Sequence, residues 1–271
     1  MTGVDTLQNH WGLSRVPFGP NIPVDQLVPT KGHGEAVARC CWAISQCQIC
    51  VIAGEVGAGK TAAARAAIAG IEPARHVTIY IPDPTIGLKG IHTTIVTTLG
   101  GQPNHSNATL AIQAGHLLAG ERDERGRTPV LIIDEAHLLS NQDLEGLRLL
   151  TNTAMDTGAD FALILLGQPT LRRRLKLGVL SALDQRVTTR YTIQGMTRDE
   201  TGNYIKTHLA WAGRTDTLFA DDAIAEIWQS ARGYPRAVNT LATTAMLAAY
   251  TDHKAIIDRT SAEKAIADNT E

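Results

Sequence analysis

Up to about residue 195, short apolar runs alternate with longer stretches in which apolar residues recur at helical spacing. The short runs predict buried strands, and apolar positions three and four residues apart predict helices. Such an alternation indicates an α/β fold, with a parallel sheet sandwiched by helices. Strands are predicted at Ile49–Ala53, Val77–Ile81, Val130–Ile133, Phe161–Leu166 and Thr188–Ile193, and helices at His33–Ser45, Lys60–Ala69, Ile86–Leu99, Ala108–Ala119 and Asn141–Met155.

Beyond about residue 195 the pattern contains helices only. Thr197–Glu200 reads Thr-Arg-Asp-Glu, a capping box that predicts a helix running to about Trp211. Later apolar periods predict a helix marked by Ile224–Ala231, a helix over Val238–Tyr250, and a final helix over Ser261–Asp268.

The N-terminal segment carries Pro17, Pro20, Pro23 and Pro29, which predicts an extended lead-in rather than a helix. The predicted organisation is therefore a lead-in over residues 1–30, an α/β core over 31–195, and a small all-helical lid over 196–271.

A glycine-rich loop follows the first predicted strand. Residues 54–61 read GEVGAGKT and match G-x-x-x-x-G-K-[ST], in which glycines let backbone N–H groups point at phosphate oxygens. The following helix N-terminus adds to this cradle. Lys60 is expected to reach the β- and γ-phosphates, and the Thr61 hydroxyl to ligate Mg²⁺. The predicted nucleotide-binding set is Gly54, Glu55, Val56, Gly57, Ala58, Gly59, Lys60 and Thr61.

A second motif ends the third predicted strand. Residues 130–137 read VLIIDEAH, as expected of a buried parallel strand that delivers carboxylates to its C-terminal edge. Asp134 is predicted to bind nucleotide-associated Mg²⁺ together with Thr61, and Glu135 to orient or activate the attacking water. The letters DEAH suggest a helicase, but no room for a second motor lobe remains after residue 195.

Three further polar positions fall where a ring-forming ATPase needs them. Gln168 follows an apolar strand and is predicted to sense the γ-phosphate, the alternative being a simple turn residue. Arg186 ends a short helix and is predicted to reach a neighbouring subunit's nucleotide; Arg190 competes for this role, and a surface arginine is the alternative. Arg236 is predicted to fold over the γ-phosphate, or else to be a solvated residue at a helix start.

The composition is that of an ordinary globular protein, with 44% hydrophobic and 19% charged residues in 271. A net charge of −2 argues against a generally basic nucleic-acid binder and leaves a local basic patch. Candidate DNA contacts are Arg172, Arg173, Arg174 and Lys176, on a helix with buried leucines, and Lys89 in the loop 82–90. A solvated face, or arginines that touch a neighbour's nucleotide, are the alternatives.

The cysteines cluster at Cys40, Cys41, Cys47 and Cys50. The spacing of the last two allows zinc or redox chemistry, but we favour small core residues, because strand residues alternate faces. The N-terminus lacks the basic and apolar regions of a signal peptide, and no apolar run has the length of a membrane span. We therefore expect a cytoplasmic protein without a membrane partner.

The series GEVGAGKT, LIIDEAH, LLGQP, LDQRV and GYPRAVN, in this order, resembles the AAA+ ATPases of the ExeA/TniB-like group. The segments HWGLSRVPFG and GHGEAVAR strengthen the resemblance, which extends from about Trp11 to Tyr250. The group includes transposition helpers similar in role to IstB, MuB and TnsC. It also includes the ExeA proteins of secretion, which carry a transmembrane segment and a peptidoglycan-binding region.

Because neither of those two regions is visible here, the resemblance favours a transposition helper. It implies ATP and Mg²⁺ as cofactors, ATP hydrolysis stimulated by DNA, and a homo-oligomeric ring or filament on double-stranded DNA without sequence preference. A DDE transposase is the implied partner. The resemblance also implies a base pocket near Val28–His33. An ExeA-like secretion or envelope-assembly ATPase, and a nucleotide-gated switch with negligible turnover, are the alternatives.

Overall fold

The computed structural model describes residues 3–19, 22–152 and 159–269. At its centre are five strands whose pairings are all parallel, in the order β2-β3-β4-β1-β5. Every residue of β1 and β4 is buried, as expected of strands covered on both faces. This confirms the predicted α/β fold with a five-stranded parallel sheet. The strands are β1 Ile49–Gly54, β2 His76–Ile81, β3 Thr128–Ile133, β4 Ala162–Gly167 and β5 Val187–Ile193.

The register brings the C-terminal ends of the central strands to one edge of the sheet. Ala53 of β1 pairs with Gly167 of β4, and Ile133 of β3 pairs with Leu165 of β4. The loops that follow β1, β3 and β4 therefore leave the sheet side by side. In parallel α/β sheets this edge is where ligands bind.

Helices connect these strands and bury apolar faces against them. Ile95 and Leu110 of the helices pack in one core with Leu131 and Leu163 of the sheet. The helices are α2 Lys31–Ser45, α3 Lys60–Ala69, α4 Gly87–Thr98, α5 Asn107–Asp123, α6 Asn141–Leu150, α7 Pro169–Leu175 and α8 Ser181–Arg186.

Two details of the helix predictions differ from the structure. Lys89 lies in α4 and not in a loop, because Asp83 caps a short 3-10 turn at Pro84–Ile86 and the helix begins at once at Gly87. The helix predicted over Asn141–Met155 is described as far as Leu150, and Met155 lies outside the described residues.

Among the described residues, backbone packing separates two compact units. One holds His33–Glu55 and Lys60–Ile193, and the other takes its residues from Met1–Gly32, Val56–Gly59 and Gln194–Glu271. The domain boundaries at residues 30 and 195 remain proposals. None of the helices in the described ranges is both long and apolar enough to cross a membrane.

The second unit is helical, as predicted for the C-terminal part. The capping box is present: the Glu200 N–H donates to the Thr197 hydroxyl at 3.2 Å, and the Thr197 N–H donates to the Glu200 carboxylate at 2.9 Å. The helices are α9 Arg198–Trp211, α10 Asp221–Ala231, α11 Pro235–Thr251 and α12 Arg259–Asp268.

The N-terminal segment is not extended throughout. Residues 3–11 form α1, Gly3–Trp11, so the prediction of an extended lead-in is wrong there. The prolines lie beyond this stretch, and tertiary packing decides its conformation: Trp11 is 2% exposed within the core of the helical unit, and its carbonyl accepts a hydrogen bond from Arg214 at 2.7 Å.

Candidate active site

Asp134 lies at the centre of a cluster of oxygen atoms at the sheet edge. The Thr61 hydroxyl donates to Asp134 Oδ2 at 2.6 Å, and the Tyr80 hydroxyl donates to the same atom at 3.2 Å. Asp134 Oδ1 accepts the backbone N–H of Glu135 at 2.8 Å. A threonine hydroxyl beside a buried aspartate is the kind of oxygen set that Mg²⁺ prefers, so these residues fit the predicted metal.

Lys60 is the first residue of α3 and directly precedes Thr61 of this cluster. Its side chain is 6% exposed, and its ammonium donates to the carbonyl oxygens of Gly54 at 3.0 Å and Glu55 at 3.1 Å. A buried ammonium needs such acceptors. The loop before it is glycine-dependent, since Gly57 and Gly59 have φ of +77° and +92°, which L side chains rarely adopt. The local conformation is therefore that expected of a phosphate-binding loop.

Within the helical unit, Gly57 lies against the start of α11. The Arg236 N–H donates to the Gly57 carbonyl at 3.3 Å. A Cβ on Gly57 would lie 2.5 Å from the Cβ of Arg236, closer than real Cβ contacts come. Gly57 is thus required both for its backbone dihedral and for this close approach. The side-chain role predicted for Arg236 remains a prediction.

Glu135 has an unusual backbone. Its φ and ψ of 49° and 31° place it in the left-handed region, just before a 3-10 turn at Ala136–Leu138. A non-glycine residue in this region is strained and is common at functional sites. The Glu135 carboxylate, which is 45% exposed, lies 3.3 Å from Nδ1 of His137, a neighbour on its own turn.

Gln168 follows β4 and immediately precedes α7, at the same edge of the sheet as Asp134. Its backbone N–H lies 3.5 Å from Nδ1 of His137, a distance at the limit of a hydrogen bond. The structure therefore brings Gln168 close to the turn that carries Glu135. Its sensing role remains a prediction.

The two candidate arginine fingers lie elsewhere in the α/β unit. Arg186 ends α8, before the first residue of β5, and donates to the Thr151 hydroxyl at 2.9 Å. Arg190 lies within β5 and pairs with the Asp184 carboxylate at 3.0 Å. Which of them is the finger remains open.

The residues of the predicted basic cluster differ in their exposure and in their contacts. Leu171 and Leu175 are buried, as predicted for the inner face of α7. Arg172, Arg173 and Lys176 are exposed, as is Lys89 on α4. Arg174 instead donates to the His137 carbonyl at 2.8 Å and to Asn141 Oδ1 at 2.7 Å. Its guanidinium therefore links α7 to the turn that carries His137 and to the start of α6.

Tyr80 is a site residue that sequence analysis missed. It lies on the edge strand β2, and burial together with the Asp134 carboxylate raises its pKa to about 12. Tyr80 consequently keeps its proton at neutral pH and can donate to Asp134. No motif marks this tyrosine, and only the pairing of β2 with β3, which sets Tyr80 beside Ile132, brings it to Asp134.

Residues 43–175 match a family described as an AAA domain. The chain is also 29% identical over 245 residues to General secretion pathway protein A of Aeromonas hydrophila, a match that spans 89% of this chain and 44% of that protein. The chain thus spans less than half the length of this curated relative.

Solved structures share the fold at low identity. The Aeropyrum pernix ORC2 protein, solved as ADPNP–ADP complexes, matches with a TM-score of 0.66 and 17% identity over 94% of this chain and 71% of that chain. The Aeropyrum pernix ORC1 protein in complex with DNA matches with a TM-score of 0.65 and 15% identity, over 93% of this chain and 68% of that chain. Residues 43–175 of the chain therefore resemble an AAA domain, and the chain shares the fold of these two ORC structures.

Proposed function

We propose that this chain is a Mg²⁺-dependent ATPase whose site lies at the C-terminal edge of the sheet. The observation that carries the proposal is the 2.6 Å hydrogen bond between Thr61 and Asp134, which joins the phosphate-loop motif to the strand–Asp–Glu motif. Two motifs distant in sequence supply adjacent oxygen ligands, as an ATP–Mg²⁺ site requires. The nucleotide complexes of the structurally similar ORC2 protein support the same assignment.

In this proposal, residues 54–61 hold the phosphates with backbone N–H groups and the Lys60 ammonium. Thr61 and Asp134 hold Mg²⁺, which when bound neutralises charge on the phosphate oxygens. Glu135 accepts a proton from the attacking water, for which its exposed carboxylate is suited.

The remaining predicted residues act around this centre. Gln168 senses the γ-phosphate from the end of β4. Arg186 or Arg190 reaches the nucleotide of a neighbouring subunit. Arg236, at the start of α11, folds over the γ-phosphate. A fixed guanidinium charge stabilises the transition state of phosphoryl transfer.

Glu135→Gln tests the hydrolytic part of the proposal. The amide keeps the size of the side chain but cannot accept the proton, so we expect phosphate release to fall by about 10²-fold or more while ATP binding is retained. Binding is measured with a fluorescent ATP analogue and turnover by phosphate release. Unchanged turnover would refute the role of Glu135, and no turnover in the unsubstituted chain would favour a nucleotide-gated switch.

For the biological role, we propose a secretion or envelope-assembly ATPase ahead of a transposition helper. The relative General secretion pathway protein A supports this order, because it matches over 245 residues at 29% identity. The name describes the role of that protein and not of this chain, and the match spans 44% of its length. The role in this chain is therefore a proposal, as is a cytoplasmic location of the AAA domain.

A second candidate, ATP-dependent assembly on double-stranded DNA to recruit a DDE transposase, draws on one observation. Arg172, Arg173 and Lys176 present exposed cations on α7, and Lys89 does so on α4. In a homo-oligomeric ring, such a patch would be repeated in every subunit and could follow phosphates without reading bases.

Sedimentation separates the two candidates. The protein is spun with ATP, ADP or no nucleotide, each with and without random-sequence duplex DNA at low salt. Large assemblies that form only with ATP and DNA, and that are lost in R172A/R173A/K176A, would support the DNA-bound oligomer. If DNA has no effect under any nucleotide, the transposition role fails and the secretion role stands.

A further inference from the structure

We propose that His208 is a pH-sensitive latch, which holds the N-terminal strap on the helical unit at neutral pH and releases it in mild acid. The strap is residues 11–18, and His208 lies in α9. Nδ1 of His208 lies 3.0 Å from the carbonyl oxygen of Pro17 in the strap. Because a carbonyl oxygen can only accept, Nδ1 is the donor, and the neutral ring has its single proton there.

The strap is held at the end of α9 by backbone contacts and by buried side chains. The Ser14 N–H and hydroxyl donate to the Ala212 carbonyl at 2.8 and 3.0 Å, and Arg214 donates to the Trp11 carbonyl at 2.7 Å. Trp11 and Phe18 are buried in the apolar core of the helical unit. The docked strap therefore forms part of the surroundings of His208.

The second ring nitrogen of His208 has no acceptor for a second proton. His208 is 2% exposed, and its Nε2 is buried without a hydrogen-bond partner among the described residues. The ring packs against Phe18 of the strap, with ring centres 5.8 Å apart, and against Tyr204 of α9, at 4.3 Å. A proton on Nε2 would create a buried charge that lacks both water and an acceptor. The charged ring is therefore accommodated only after the strap has moved away.

The titratable and charged groups around the ring do not offset this charge. Tyr204 stays neutral, because burial raises its pKa to about 12. Arg214 pairs with Asp216 at 2.9 Å, and the guanidinium of Arg15 in the strap lies 4.9 Å from the centre of a tryptophan ring. Within the ranges that the structure describes, no charged side chain contributes to the pKa of His208. A second proton therefore destabilises the docked strap.

The direction of the pH effect follows from the two states of the ring. In the docked state, burial is the main influence and lowers the pKa of His208, while the bond to the Pro17 carbonyl opposes this in part. A released ring in water has the ordinary pKa of about 6.5. Docking is therefore fully stabilised above about pH 6.5 and weakens as the pH falls below that value toward the docked pKa. For a docked pKa below the window, the released population rises about tenfold between about pH 7.5 and 5.5.

Hydrogen exchange of the strap amides tests the latch. Exchange is read by mass spectrometry on peptides from residues 11–18 and from β1, after correction for the effect of pH on the intrinsic rate. In the unsubstituted protein, we expect strap protection to lie below that of β1 and to fall about tenfold between about pH 7.5 and 5.5. Protection of the strap that does not change with pH would overturn the latch. Protection equal to that of β1 at both pH values would also overturn it, because the strap would then open only with the whole fold.

Two asparagine variants assign the effect to His208. In His208→Asn, the side-chain amide lies near the position of Nδ1 and can donate to the Pro17 carbonyl, but it does not titrate. We expect its strap protection to change less than about twofold over the same pH window. The matched control is His92→Asn on α4, because His92 is also buried, with Nε2 unpartnered among the described residues and a pKa lowered by burial. A full fall in His208→Asn, or its loss in His92→Asn, would contradict the assignment.

The ring itself gives a readout that needs no substitution. In the ¹⁵N spectrum of the unsubstituted protein at about pH 7.5, we expect a protonated Nδ1 and an unprotonated Nε2 for His208. As the pH falls, the ring should gain its second proton only together with the loss of strap protection. A ring that titrates at its ordinary pKa of about 6.5 while the strap stays protected would overturn the proposal.

Discussion

At the scale of single residues, Asp134 shows how the site depends on side chains that no motif marks. Its carboxylate accepts hydrogen bonds from Thr61, from Tyr80 and from the backbone of Glu135. Three donors on one buried carboxylate fix its direction before any metal binds. Thr61 and Asp134 could be paired from the sequence through their motifs, whereas Tyr80 could not.

Tyr80→Phe tests this arrangement. Loss of one hydrogen bond to the carboxylate that we propose binds Mg²⁺ should raise the Mg²⁺ concentration needed for half-maximal binding of a fluorescent ATP analogue by about tenfold. Tyr191→Phe is the matched control, because the Tyr191 ring contacts Arg39 and its hydroxyl makes no hydrogen bond to the described residues. An equal Mg²⁺ requirement in both variants would remove Tyr80 from the site.

Gly57→Ala tests the close approach within the helical unit. The new Cβ would have to occupy a φ of +77° and lie 2.5 Å from the Cβ of Arg236, so we expect nucleotide affinity to fall and stability to drop by about 1–3 kcal/mol. Gly126→Ala is the control, with a similar φ of +63° and no atom within 4 Å of the added Cβ in the described residues.

Thermal unfolding and analogue binding are measured for both glycine variants. If Gly126→Ala loses as much stability as Gly57→Ala, backbone strain alone explains the effect. The contact with Arg236 would then contribute nothing, and the account of Gly57 would need only its dihedral.

At the scale of elements, strands were the most predictable part of the fold. The apolar runs of the central strands β1, β3 and β4 are buried on both faces, so burial and pattern coincide there. All predicted strand bounds lie within two residues of the observed ones. Helix α1 was missed because its stability comes from Trp11 packing in the helical unit, which local sequence does not report. Contacts between elements, such as that of His137 with Gln168, also could not be predicted from the sequence.

Helix α7 carries the half-buried Arg174 and the exposed Arg173, whose contributions Arg174→Ala and Arg173→Ala can distinguish. Arg174 is half-buried and joins α7 to His137 and Asn141, so its loss should destabilise the fold by about 1–3 kcal/mol. Arg173 is exposed, and its loss should cost less than about 0.5 kcal/mol.

Urea unfolding of both variants checks this prediction. Equal stability of the two arginine variants would contradict the bracing role of Arg174. Salt-dependent binding to duplex DNA, measured on the same proteins, should respond to Arg173 if the outer face of α7 touches phosphates.

At the scale of the whole molecule, the fold and the biological role rest on different observations. The sheet order and the low-identity matches establish a fold shared with the ORC structures, but one fold serves many functions. The role in secretion or on DNA depends on partners outside this chain. The residues that we propose bind and hydrolyse ATP lie within this chain, and either biological role would depend on them. They are Lys60, Thr61, Asp134 and Glu135.

The most direct test of that chemistry is calorimetric titration of the protein with a slowly hydrolysed ATP analogue and Mg²⁺. We predict a single site with a Kd between about 1 μM and 1 mM, the range usual for enzyme substrates. Lys60→Ala should weaken binding by at least about tenfold, since a charged hydrogen-bond donor to phosphate is lost. Absence of binding to the unsubstituted chain, or equal affinity in Lys60→Ala, would contradict the account.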